Sequence, residues 1–277
     1  MSAFAPRKKF SQNFLTDPRT ADKIVDALGA KKPDRIVEIG PGTGVLTQRL
    51  LRTDASMILA VDLDARSIEH LRDQPWAFDK RLSLREGDVL KVDLLTEWPG
   101  VQRDNLAIIG NIPYSITSDL LFWALEQNRS VSRVVMMMQR EVARRCVAKP
   151  STKEYGVLSV ATWLYSDAKI LFHVQPGSFF PRPDVTSSVV RFYLRKEPAI
   201  DVDPESFMAF IRAAFSMRRK VMTNALNDWT RRMQIDLRSS GLINGKDLAK
   251  TRAEELSPAE LAKTYQQLLG LIGSCNA

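Results

Sequence analysis

The stretch GNIPYS (110–115) places an amide, a proline and a phenol in succession after the apolar run LAII. Two other apolar runs end in acids: MILAVDLD (57–64) carries Asp62 and LSLREGD (82–88) carries Asp88. A carboxylate at Asp62 can accept hydrogen bonds from the two hydroxyls of a ribose, and one at Asp88 can accept from an exocyclic amine. Upstream, RIVEIG (35–40) runs into Gly40-Pro41-Gly42-Thr43-Gly44 and then the helical pattern VLTQRLL. Glycines there let the backbone turn tightly and approach a ligand, and a helix behind them offers its N-terminus. The chemistry is recognition of a nucleoside-like ligand outside the carboxyl ends of strands. Gly-x-Gly-x-Gly is one residue short of the dinucleotide fingerprint, which counts against a nicotinamide cofactor. Each feature alone has a plainer reading: a strand–helix turn, a helix-capping acid, an Asn-Pro turn closed by a packed Tyr. Three successive strand ends that each supply a fitting group argue for a site.

The elements that must position these groups follow from the apolar runs. RIVEIG, MILAVDLD, LSLREGD, LAIIGN (106–111), RVVMMM (133–138), AKILFHV (168–174) and SSVVRFYL (187–194) read as strands, with helical patterns between most of them. That alternation predicts βαβ units and a mostly parallel sheet covered by helices on both faces. After EPAIDVDP (197–204) only helical periodicity remains, so residues 1–198 form the sheet domain and 199–277 a small all-helical domain. The 277 residues are 44% hydrophobic with no long uncharged apolar run, which excludes a helical membrane span. The N-terminal basic residues are not followed by an apolar segment, so an intracellular, cytoplasmic protein is expected. Cys146 and Cys275 lie far apart, and His70 and His173 are the only histidines. No metal is expected, and neither is a disulfide framework or a catalytic histidine. The net charge of +8 points to a polyanionic partner.

EIGPGTG, the acidic end of MILAVDLD, EGD and Asn-Ile-Pro-Tyr together resemble the ordered motifs of S-adenosylmethionine-dependent methyltransferases that modify amino groups. FSQNFL (10–15), QREV (139–142), EYGVLSV (154–160), FFPRPDVTSSVVRF (179–192) and AFSMRRKVMTNAL (214–226) resemble, in order, the ribosomal RNA adenine N6-dimethyltransferase family. The match covers nearly the whole chain. Its Arg-Arg-Lys helix is closer to the small-subunit, kasugamycin-sensitivity enzymes than to the erythromycin-resistance enzymes that act on large-subunit RNA. Asp62 departs from the family, which more often carries Glu there.

The resemblance implies a Rossmann-like methyltransferase sheet and S-adenosylmethionine as donor, held by Gln12, Asn13, Leu15, Gly40, Gly42, Gly44, Asp62, Asp88 and Asn111. It implies that the Asn111 side-chain oxygen and the Ile112 carbonyl accept the hydrogens of adenine N6, drawing the nitrogen toward sp³ geometry. A residue before proline is biased to extended backbone that can project its carbonyl outward, and Pro113 stiffens the turn. Tyr114 would stack on a flipped-out base, with Phe179 from the aromatic-Pro loop on the other side. Phe207, Phe210, Ile211, Ala214, Phe215, Met222, Ala225, Leu226 and Trp229 recur at helical spacing and predict a core stripe. The opposite face carries Arg212, Arg219 and Lys220. With Arg218 and the N-terminal Arg7, Lys8 and Lys9, these are the expected RNA-binding cations. The expected substrate is 16S ribosomal RNA in the small subunit, dimethylated at two adjacent adenines near its 3′ end during ribosome biogenesis, by an enzyme acting as a monomer. Two alternatives are a large-subunit target and a non-catalytic assembly or transcription factor on the same fold.

Overall fold

The computed structural model describes residues 12–235, 243 and 245–275. Nine strands occur among them: Phe14–Leu15 (β1), Arg35–Ile39 (β2), Met57–Asp62 (β3), Leu82–Glu86 (β4), Leu106–Asn111 (β5), Arg133–Gln139 (β6), Ser166–Val174 (β7), Phe179–Phe180 (β8) and Ser187–Leu194 (β9). The seven apolar runs read from the sequence are β2 to β7 and β9, which build one sheet in the order β4-β3-β2-β5-β6-β9-β7. β4 through β6 are parallel, and β9 runs antiparallel between β6 and β7. β2, β3, β5 and β6 are buried almost throughout, as continuous apolar runs in a covered parallel sheet should be. The edge strand β4 is at most partly buried. β1 and β8, which the sequence reading does not anticipate, form a separate antiparallel pair with Leu15 opposite Phe179.

The helix Pro18–Leu28 packs on β5, β6 and β9. Asp17 caps it by accepting from the Arg19 N–H at 3.1 Å, and Gly29 ends it in a left-handed conformation at φ 63°. Its last carbonyl, on Leu28, accepts from Arg133 Nε at 2.9 Å. The same guanidinium forms a buried ion pair with Asp34, ahead of β2. One side chain therefore ties a helix end and two strand starts together.

Two compact units divide the chain: residues 1–143 with 165–197, and residues 144–164 with 198–277. The sequence-based boundary at 198 falls beside the second crossing, but the segment 144–164 belongs with the C-terminal unit. Among the described residues, that unit's only regular elements are helices, apart from an isolated bridge between Ile243 and Lys246. Its core holds Phe207, Phe210, Trp229 and Tyr265, with Phe210 centred 5.3 Å from Trp229 and 5.2 Å from Tyr265. The predicted stripe is buried there, except for half-buried Phe215. The segment 144–164 is held by the Tyr155 hydroxyl, which donates to the Leu256 carbonyl at 2.8 Å, and by the Tyr155 ring edge-on to Phe215.

Candidate active site

The chain builds β2, β3 and β4 to one side, then returns to place β5 on the other side of β2. Such a reversal opens a crevice at the carboxyl ends of the two central strands. A cleft of about 340 Å³ lies there, within the range of small-molecule sites. Its walls include Gln12, Asn13, Phe14, Gly40, Gly42, Asp62, Asp88 and the run Asn111 to Ile116. Gly110 lets the two strands meet: a Cβ there would stand 2.9 Å from the Ile39 carbonyl oxygen.

Asp62 is oriented by its own backbone neighbourhood. One carboxylate oxygen accepts from the Asp64 N–H at 2.9 Å and the other from the Gly42 N–H at 3.3 Å. A carboxylate has about four acceptor positions, more than the two backbone donors and the Ser67 hydroxyl occupy. Burial raises the Asp62 pKa, against the pull of those backbone donors and the Ser67 hydroxyl. Gly42 has φ 56°, and a Cβ on it would lie 2.9 Å from the Phe14 ring. Burial also raises Asp64, but its bonds from Arg66 and Gln12 win and hold it below the ordinary carboxylate value. Gln12 Nε2 donates to Asp64 at 3.1 Å, which fastens the N-terminal segment to the end of β3. Asp88 caps the turn Val89–Lys91 by accepting from the Leu90 N–H at 3.1 Å.

On the other wall, Asn111 Nδ2 donates to the Asn13 carbonyl at 3.0 Å. A carbonyl only accepts, so the amide's nitrogen must face it and the Oδ1 end is left for another donor. The buried Ile112 extends the ladder by donating its N–H to the Met137 carbonyl at 3.0 Å, while no donor among the described residues reaches its own carbonyl. Pro113 has φ −58° and begins a turn that the Thr117 hydroxyl closes by donating to the Pro113 carbonyl at 3.0 Å. Tyr114 lines the cleft with its hydroxyl 2.7 Å from Ser187 Oγ. Burial pushes the Tyr114 pKa up, which keeps the phenol neutral.

Several expected residues sit elsewhere. Leu15 is in the hydrophobic core and does not line the cleft. Gly44 packs against Leu71 and Trp76 instead of facing a ligand. The pattern VLTQRLL yields only a single α-turn, Thr47–Leu50, so no long helix presents its N-terminus behind the glycines. Phe179 is core, opposite Leu15, whereas Phe180 is 64% exposed. Arg7, Lys8 and Lys9 lie outside the described residues.

Arg212, Arg219 and Lys220 are exposed, but the Arg-Arg-Lys triplet occupies the turn after the helix Pro204–Ser216 and not a helix. Arg218 is committed internally: it pairs with Glu254 at 2.6 Å and donates to the carbonyls of Thr152, at 2.7 Å, and Lys153. Its guanidinium fastens residues 152–153 within the C-terminal unit. Phe14, Leu63, Leu90 and Ile116 line the cleft as well, beyond the residues expected from sequence. Leu63 and Leu90 are exposed apolar residues one or two positions after the strand-end acids, and that placement is the signal that could have found them.

A doubly wound sheet with its last-formed strand reversed, a glycine turn after the central strand and acids at the next two strand ends define the Rossmann-like methyltransferase fold. The sequence model of the ribosomal RNA adenine dimethylase family matches residues 3–266, and the chain belongs to that family. It is 39% identical over 274 residues to the ribosomal RNA small subunit methyltransferase A of Salinibacter ruber, covering 96% of this chain and 86% of that one. Among solved structures, a dimethyladenosine transferase from Plasmodium falciparum superposes with TM-score 0.74 at 23% identity, over 94% of this chain and 98% of that one. The 23S rRNA methyltransferase ErmE gives 0.64 at 25% identity, over 92% and 99%.

Proposed function

We propose that the protein transfers methyl groups from S-adenosylmethionine to N6 of two adjacent adenines near the 3′ end of small-subunit ribosomal RNA, two methyls to each, in the cytoplasm during subunit biogenesis. The observation that carries this reading is the Asn111 amide, anchored through its nitrogen so that its oxygen is the end offered to an incoming amine. The cleft suits the donor: Asp62 offers a carboxylate to a ribose, the Gly42 N–H helps orient that carboxylate, and Leu63 and Leu90 offer apolar surface for a purine. When bound, S-adenosylmethionine supplies an electrophilic methyl group on a sulfonium.

The chain's own residues act on the acceptor. The adenine N6 lone pair is delocalised into the ring and is a poor nucleophile until its hydrogens are held out of plane. Asn111 Oδ1 takes one of them and the Ile112 carbonyl the other, while the Tyr114 ring holds the base by stacking. This is catalysis by orientation. Loss of the proton from the methylated nitrogen goes to water and needs no strong base. Arg212, Arg219 and Lys220 grip phosphates.

The small-subunit target is supported by the name that the Salinibacter relative carries, and the likeness to ErmE keeps a large-subunit target as the second reading. Primer extension on ribosomal RNA from cells with and without the gene separates them. Paired stops near the small-subunit 3′ end that vanish without the gene are the expected result; stops that vanish from large-subunit RNA instead would move the target.

A further inference from the structure

We propose that Ser187 is a positioning residue for Tyr114, fixing the ring against which the target base stacks. This rests on the stacking role given to Tyr114 above. Ser187 and Tyr114 are 73 residues apart in sequence, yet their side-chain oxygens lie 2.7 Å from each other. Ser187 is fully buried at the start of β9, where its backbone is in register with Gln139 of β6 on one side and Val174 of β7 on the other. A hydroxyl held between two strands is a fixed peg. The Tyr114 backbone is set independently, by the turn that follows Pro113, where the Thr117 hydroxyl shares its one hydrogen between the Pro113 carbonyl at 3.0 Å and the Tyr114 carbonyl at 3.3 Å. A tyrosine on the wall of an open cleft has two soft side-chain torsions, and a bond at the far end of the ring restrains both. The ring thus meets an incoming base already oriented, so less freedom is lost when the base stacks.

The geometry also gives the FFPRPDVTS segment a role apart from its aromatics. It delivers Ser187 to the sheet at the point from which it reaches the Asn-Ile-Pro-Tyr turn. A merely structural hydrogen bond would be felt in stability and donor binding alike. A positioning bond is felt in the methyl-transfer step and in RNA affinity, with donor affinity unchanged.

The test is a double-mutant cycle of Ser187→Ala, Tyr114→Phe and the pair, in single-turnover methylation at saturating S-adenosylmethionine and small subunits. Each single variant is expected to lose about tenfold in rate, and the pair no more than either alone, because both changes delete the same bond. Donor affinity should stay within twofold of wild type. Wild-type rates in both single variants, or losses that multiply in the pair, overturn the proposal. Should Ser187→Ala fail to fold, Tyr114→Phe deletes the bond from the other side and its rate decides. Tyr114→Ala tests the underlying stacking role separately: if it keeps the wild-type rate, that reading fails whatever the cycle shows.

Discussion

Asn111 and Asn13 are joined across 98 residues by one hydrogen bond, so the amide that ends β5 is oriented by the N-terminal segment on the opposite wall of the cleft. Replacing Asn111 with Ala removes the oriented acceptor and should lower the single-turnover rate by about 10²–10³, the usual loss when one preorganised polar group is deleted. Asn111→Asp keeps an oxygen but sets a carboxylate against the Asn13 carbonyl, so donor affinity should fall as well, because residues 12–14 wall the cleft. A near-normal methyl-transfer step in Asn111→Ala would remove the role assigned to this amide.

Asp62 is the residue proposed to hold the donor's ribose. Charge-assisted hydrogen bonds contribute about 1.5–3 kcal/mol each, so Asp62→Ala should weaken S-adenosylmethionine binding at least tenfold by calorimetry. Burial sets the Asp62 pKa above the ordinary carboxylate value, so donor affinity should decline on acidification sooner than an exposed aspartate would allow. A flat affinity from pH 7 down to pH 4 would contradict the assignment.

Glu38 carries a pH signature in stability. Its carboxyl is fully buried and desolvation raises its pKa from 4.5 to about 8. Below 4.5 it is protonated in the folded and unfolded chain alike; between 4.5 and 8 only the unfolded chain ionises, so this group makes stability fall as pH rises, and the fall levels off above 8. The loss across that window is on the order of 3–5 kcal/mol. Glu38→Gln should flatten it, measured as denaturant midpoints at steps from pH 5 to 9. Parallel curves for variant and wild type would show that Glu38 ionises freely in the fold.

The neighbouring cations Arg218 and Arg219 should behave as different residues. Arg219→Ala with Lys220→Ala should weaken small-subunit binding and reduce the log–log salt slope by roughly 0.7–0.9 per lost phosphate contact. Arg218→Ala should leave that slope unchanged and lower thermal stability, because it strands Glu254 and the carbonyls of residues 152 and 153. A slope change in Arg218→Ala without loss of stability would return it to the RNA surface.

The buried pair of Arg133 and Asp34 offers a check on the sheet unit. Asp34→Ala leaves a buried guanidinium without its counter-charge and should cost about 3–5 kcal/mol in equilibrium unfolding. A cost below about 1 kcal/mol would mean that the Leu28 carbonyl and its neighbours suffice to hold Arg133.

The sheet was legible in sequence because its strands are continuous apolar runs separated by helical patterns, a signal that needs no tertiary context. Asp62, Asp88 and the Asn-Ile-Pro-Tyr turn were legible as groups at strand ends, and the cleft brings them together. What escaped depends on partners distant in the chain. β1 and β8 are two residues each and exist only through one another across more than 160 positions. The segment 144–164 joins the C-terminal unit through pairs such as Tyr155 and Leu256, which periodicity cannot match. Charge alone could not distinguish Arg218, with internal acceptors, from exposed Arg219. Nor could the adjacent aromatics reveal that register with β1 buries Phe179 and exposes Phe180.

The crossing of the chain between its two units sets a timetable for synthesis. Tyr155 reaches its buried position alongside Phe215, and the Leu256 carbonyl that receives its hydroxyl is made 101 residues later. At about 5–20 residues per second, that hydroxyl waits roughly 5–20 s on the ribosome without its native partner. The sheet unit is interrupted by the same excursion and cannot complete its last two strands until residue 194 has emerged. Nascent chains arrested between residues 165 and 250 should therefore present the apolar face of residues 155–164 to holding chaperones, whereas the finished chain hides it.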